Sequence, residues 1–289
     1  MKRPGVPKFP HSAQLFRFCQ KVLAEQKGSK IHDQEVGNIL EFNPSDCSHW
    51  KRGEKNVRSV FALAKLAETL QLEPSLVHDL AMGSATVDEA YFEYKESQQF
   101  FFATEKVKKV LTHEQLQNVR QRVMAFVENL HHRSDFATAP LYLPEVTRFF
   151  PFISTQPAEM MDKLTRILRT KPGQYTIQFK KGELKSQVRM GMTQDVAKIL
   201  LTGERARFPE LGASLAVCKE WEILLFTANL LVPKTLLLEE LVKLDTRKNV
   251  VAELATLFWV PKSLIGFQLQ DLFSSEQDTQ KFSAVEQAL

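Results

Sequence analysis

The stretch Phe42-Asn43-Pro44-Ser45-Asp46-Cys47-Ser48-His49-Trp50-Lys51-Arg52-Gly53 decides how the amino-terminal third of this chain folds. Asn43 can cap a helix by accepting from an amide of its first turn. Pro44 suits the first helical position, where its missing N–H costs nothing and its fixed φ is already helical. The spacing predicts a helix from Pro44 to about Lys51, broken at Gly53, with Cys47 and Trp50 facing a core.

Outward from it, the same reasoning gives four neighbours. Leu15, Phe16, Cys19, Val22 and Leu23 recur at helical spacing between Ser12 and Lys27, and Gly28 closes that run. Asp33 to Leu40 forms a short helix before the quoted stretch, Ser59 to Leu70 another after it, and Pro74 opens a fifth that ends near Gly83. From Thr86 to His132 the chain is again helix-like and reads as a bridge. Beyond it, Pro140, Pro144, Pro151, Pro157 and Pro172-Gly173 punctuate short apolar runs. Gln174 to Phe179 alternates as a strand should, with Lys180-Lys181-Gly182 as its hairpin turn. Helical spacing returns at 193–201, 215–231, 235–244 and 249–257, and the segment after Ser274 is polar.

The 289 residues, 44% hydrophobic and 25% charged, suit two soluble globular domains and exclude disorder and collagen-like order. No apolar run reaches the roughly 18 residues of a membrane span, and MKRPGVPKFPHS lacks the apolar core of a secretory signal, so no membrane partner and a cytoplasmic location are expected. Cys19, Cys47 and Cys218 are far apart, with no CxxC spacing, and read as buried apolar residues. A formal charge of +4 is too small to establish a polyanion partner, so local clustering must decide. No GxSxG, Gly-rich phosphate loop or HExxH occurs, and no cofactor is expected.

The run of short helices, with Val36, Gly37 and Leu40 in the second, Cys47 and Trp50 in the third, and Leu63, Leu66, Ala67 and Leu70 in the fourth, resembles the Cro/repressor (XRE) helix-turn-helix family. Gly37 matches the small residue that lets two helices cross. Glu41 departs from the family's glycine or asparagine and implies a looser turn. The resemblance implies binding to duplex DNA. Pro44, Ser45 and His49 then take the base-reading positions, and direct readout falls to Ser45 and His49, helped by Ser48. Asn43, Lys51, Arg52, Lys55, Asn56 and Arg58 can supply phosphate contacts, and Lys2, Arg3 and Lys8 a basic arm. Asp46 counts mildly against tight binding.

The stretch Glu220 to Pro233, with Leu254-Ala255, Phe258-Trp259-Val260, Ser263 and Gln268-Leu269, is similar to the ImmA/IrrE family of metallopeptidase-like domains, which often follow such a helix-turn-helix. That family's zinc comes from an HExxH helix. The matching positions here are Gln194-Asp195-Val196-Ala197-Lys198, without either histidine. Lys198 would stand where the metal belongs, with Asp195 in the general-base position and Glu220 or Glu222 at the third-ligand position, so the family's peptidase chemistry is not expected. A salt bridge filling this vestigial site is expected over a small ligand held by Gln194, Asp195, Lys198 and Glu222. Arg205, Arg207, Lys180-Lys181 and His131-His132 read as solvated.

The fold expected is mainly α. A five-helix helix-turn-helix domain covers 1–83, a helical linker 84–133, an ImmA/IrrE-like α+β, zincin-like domain with a small sheet 134–273, and a flexible tail 274–289. The function expected is a sequence-specific DNA-binding regulator, a homodimer whose second domain oligomerises or senses a small-molecule or protein signal. The alternatives are a metallopeptidase with atypical ligands and a protein adaptor or antitoxin. In the adaptor, Phe100-Phe101-Phe102 is a candidate contact, with burial against the second domain as the plainer role.

Overall fold

The computed structural model describes residues 7–134, 136, 138–160, 163–182, 185–245 and 249–274 and is mainly helical, with a small three-stranded mixed sheet. The chain divides into two units, Met1–Glu96 and Ser97–Leu289. The boundary falls inside a helix and not at the expected ends of a linker, 83/84 and 133/134. The expected tail, but for Ser274, and the arm residues Lys2 and Arg3 lie outside the described residues.

In the first unit the helices are α1 (Pro10–Lys27), α2 (Asp33–Ile39), α3 (Pro44–Arg52), α4 (Val60–Thr69), α5 (Pro74–Met82) and the start of α6 (Val87–Lys108). Prolines open α1, α3 and α5, and Gly28, Gly53 and Gly83 close the same three in the left-handed conformation. Trp50 fastens α3 to α1. It is fully buried, its ring meets Phe16 and Phe42 edge to face at 5.1 and 5.8 Å, and its indole N–H donates to the Ser12 carbonyl at 2.8 Å. Removing an indole's roughly 200 Å² from water contributes on the order of 5 kcal/mol before ordering costs. Cys19 and Cys47 are buried in this core, where burial pushes the Cys19 thiol up to about 12.

The second unit holds the rest of α6, then α7 (His113–Ser134), α8 (Leu143–Thr147), β1 (Ile153–Ala158), β2 (Thr165–Lys171), β3 (Gln174–Lys180), α9 (Ser186–Lys198), α10 (Lys219–Leu231), α11 (Lys234–Lys243), α12 (Val250–Phe258) and α13 (Lys262–Ser274). The bridge reading of residues up to 133 is corrected here. Val119, Val123, Phe126, Val127 and Leu130 make α7 a core helix of this unit, packed on α10. Sheet order is β1-β3-β2, with β1 parallel and β2 antiparallel to β3. The expected turn at Lys180-Lys181-Gly182 is also corrected. The hairpin turn is Pro172-Gly173, where Gly173 has φ +68°, and Lys180 to Gly182 leads from the sheet toward α9. No single helix among the described residues is long and apolar enough to cross a membrane.

Candidate nucleic-acid interface

Helices α2 and α3 cross closely because position 37 has no side chain. A Cβ there would lie 2.9 Å from both Cβ and Sγ of Cys47. The turn between them is tight, correcting the looser turn expected from Glu41. Glu41 takes φ +58°, and the amides of Leu40 and Phe42 both donate to the Gly37 carbonyl at 3.0 Å. A left-handed non-glycine residue costs on the order of 1 kcal/mol, which the packing on either side must offset.

Asn43 caps α3, its side chain accepting from the Asp46 amide at 2.9 Å and donating to the Asp46 carboxylate at 3.1 Å. With Cys47 and Trp50 buried, the helix turns Pro44, Ser45, Ser48, His49, Lys51 and Arg52 to the surface. Pro44, Ser45, Ser48 and His49, the positions expected to read bases, thus share one exposed edge, set by the 3.6-residue period.

Lys51, Arg52 and Lys55 among the flanking cations, and Lys65 beside them, are paired within the unit, which sequence reasoning missed. Lys51 bonds Asp33 at 2.5 Å, Lys55 bonds Asp46 at 2.8 Å while lying over the Phe42 ring, and Lys65 bonds Glu41 at 2.5 Å. Arg52 grips both oxygens of Glu54 at 3.0 Å, and His49 Nδ1 sits 2.5 Å from the same carboxylate. The guanidinium of Arg52, and next the His49 ring, hold the Glu54 carboxyl down at about 2, while Glu54 raises Arg52. Asn56 accepts from the Ser12 hydroxyl at 3.5 Å, and Arg58 is half-buried with a sealed Nε that makes no hydrogen bond. Val60 and Phe61 open α4 with 80% and 89% of their surface exposed. The position of Glu54, one residue past the glycine cap of α3, was the available signal.

In the second unit, Asp195 is buried on α9 with one oxygen accepting from Lys198 at 3.1 Å and the other sealed without a hydrogen-bond partner. Gln194 is half-buried beside it, and Glu220 is exposed. Glu222 is not part of that pair. It accepts from Arg205 at 2.8 and 3.0 Å and from Ser214 at 2.6 Å. No group of three or more His, Cys, Asp or Glu side chains able to hold a metal occurs among the described residues.

Two residues read as solvated are corrected. Arg205 is largely buried, pairs with the sealed Glu222 carboxylate, which needs a cation there, and also donates to the carbonyls of Leu201, Leu211 and Gly212. His131 packs on Phe136 and donates Nε2–H to the Leu230 carbonyl at 3.0 Å, and burial pushes its pKa down. Arg207 and Lys181 are exposed as expected. The aromatic run divides: Phe100 stacks on Phe267 at 4.5 Å, while Phe101 and Phe102 stand exposed. No family model matches the chain, and neither a curated protein nor a solved structure matches it.

Proposed function

We propose that this chain is a sequence-specific duplex-DNA-binding regulator whose first unit is a helix-turn-helix domain that lays α3 in the major groove. The observation that carries the reading is the single exposed edge of α3, with Ser45, Ser48 and His49 held in fixed register by Trp50 and by the Gly37–Cys47 crossing. Hydroxyl and imidazole groups so presented can address base edges, and Lys51, Arg52, Lys55, Asn56 and Arg58 around them can address phosphates. The second unit, read as a peptidase-like frame without its zinc site, contributes pairing of two copies or the sensing of a signal. Two copies on half-sites about 34 Å apart would multiply an affinity that one short helix supplies weakly.

The test is selection of bound duplexes from genomic fragments, followed by anisotropy titration over a range of salt. Selective, salt-sensitive binding is expected. Neutralising Arg52 and Lys55 together should weaken all duplexes alike and lower the salt slope by about 2. Binding indifferent to both changes overturns the reading. A second reading, a protein-docking module, draws on exposed Val60 and Phe61 beside a face whose charges pair off. Failure to retain any duplex favours it.

A further inference from the structure

Four cations around α3 and α4, Lys51, Arg52, Lys55 and Lys65, each meet a carboxylate, those of Asp33, Glu54, Asp46 and Glu41. A surface built only to attract polyanions would leave such cations to solvent. Asp33 and Asp46 also hold two side chains each, but Glu54 alone among these four carboxylates holds one from the proposed base-reading set, His49, together with one from the proposed phosphate-contacting set, Arg52. Its place is fixed by the backbone, since its amide donates to the His49 carbonyl at 2.8 Å just beyond the left-handed Gly53. The two-point grip of Arg52 on this carboxylate is the geometry a guanidinium also offers a phosphate. A phosphate taking Arg52 must therefore displace Glu54 or sit beside its like charge.

We propose that Glu54 sets the discrimination of this interface: its carboxylate stands in for a DNA phosphate at Arg52 and restrains His49, so a duplex binds well only where base contacts offset its displacement. The inference rests on the DNA-binding reading above. It separates two terms that usually rise together. Sequence-independent attraction to phosphates is held down, while contacts made by Ser45, Ser48 and a released His49 are not. The low pKa of Glu54 keeps this carboxylate charged wherever DNA binding would be measured.

The experiment compares the full chain with Glu54→Gln and Glu54→Ala on two probes: the duplex selected by the wild-type protein and a random-sequence duplex of equal length. Both variants should bind the random duplex about tenfold more tightly at low salt, with a salt slope steeper by about 1, and the selected duplex with a smaller gain, so that the ratio of affinities falls. Glu73→Gln, which removes a carboxylate bonded to the Ser75 hydroxyl, should leave the ratio unchanged. Wild-type binding with unaltered affinities in both Glu54 variants overturns this inference alone. Weaker binding of the selected duplex also overturns it, since Glu54 would then be a direct base contact. If the wild-type chain retains neither duplex, the DNA reading fails and the inference with it.

Discussion

Arg205 meets Glu222 through two hydrogen bonds, of 2.8 and 3.0 Å, where the Glu222 side chain keeps only 1% of its surface in contact with solvent. The same guanidinium takes three carbonyls between Leu201 and Gly212, so this pair is one of the ties that hold the loop before α10. Arg205→Ala should cost about 3–5 kcal/mol by stranding a sealed carboxylate. Replacing both residues by methionine should cost clearly less than the two single losses together. Urea unfolding of the three variants measures this.

At the α2–α3 crossing, Gly37→Ala would push a methyl into Cys47. The expected loss is about 1–3 kcal/mol of stability and, on the proposed DNA-binding reading, weaker binding of duplex because the exposed edge of α3 moves. Adding Cys47→Ala removes the sulfur but not the Cβ, so it should restore only part of the loss. Paired denaturation and anisotropy measurements check both.

Glu41 offers the opposite case. Its left-handed backbone favours glycine, while glycine loses more freedom on folding, and the pair with Lys65 is exposed. Glu41→Gly should therefore gain on the order of 0.5 kcal/mol, and Glu41→Val, branched at Cβ, should lose stability. The denaturation midpoint of the first unit's transition reports the sign.

Burial lowers the pKa of His131, so the folded chain binds its proton less readily than the unfolded chain does. The stabilising contribution is intact above the ordinary value near 6.5 and is lost as pH falls from there through the lower folded value. The melting temperature of the second unit should drop on acidification through that window. His131→Gln should show a flatter profile, measured by thermal unfolding at a series of pH values.

Helix ends were the most legible feature, because Asn43-Pro44 and Gly53 act on their own neighbours and need nothing distant. The exposed edge of α3 was legible for the same reason, since Cys47 and Trp50 identify the face that turns inward. The sheet was legible only at β3. Thr165 to Lys171 lacks clean alternation, Pro157 sits inside β1, and parallel pairing of β1 with β3 depends on residues more than twenty positions apart. Arg205 was misread because its partner lies 17 residues away. A carboxylate between Trp221 and the apolar run Ile223 to Phe226 was the clue that a cation had to be near. The pairing of Lys51, Arg52 and Lys55 with acids was hidden in the same way, as charge counts do not say which oxygens a side chain reaches.

The three sealed thiols make each unit a reporter of its own opening. Cys19 and Cys47 lie in the first core and Cys218 in the second, and burial raises the pKa of each thiol. A thiol reagent can modify them only when the surrounding structure transiently opens. Labelling rates, resolved by peptide, would read the opening free energies of the two units within one intact chain. On the proposed DNA-binding reading, added duplex should slow modification of Cys47, on the inner face of α3, and leave Cys218 as the internal clock.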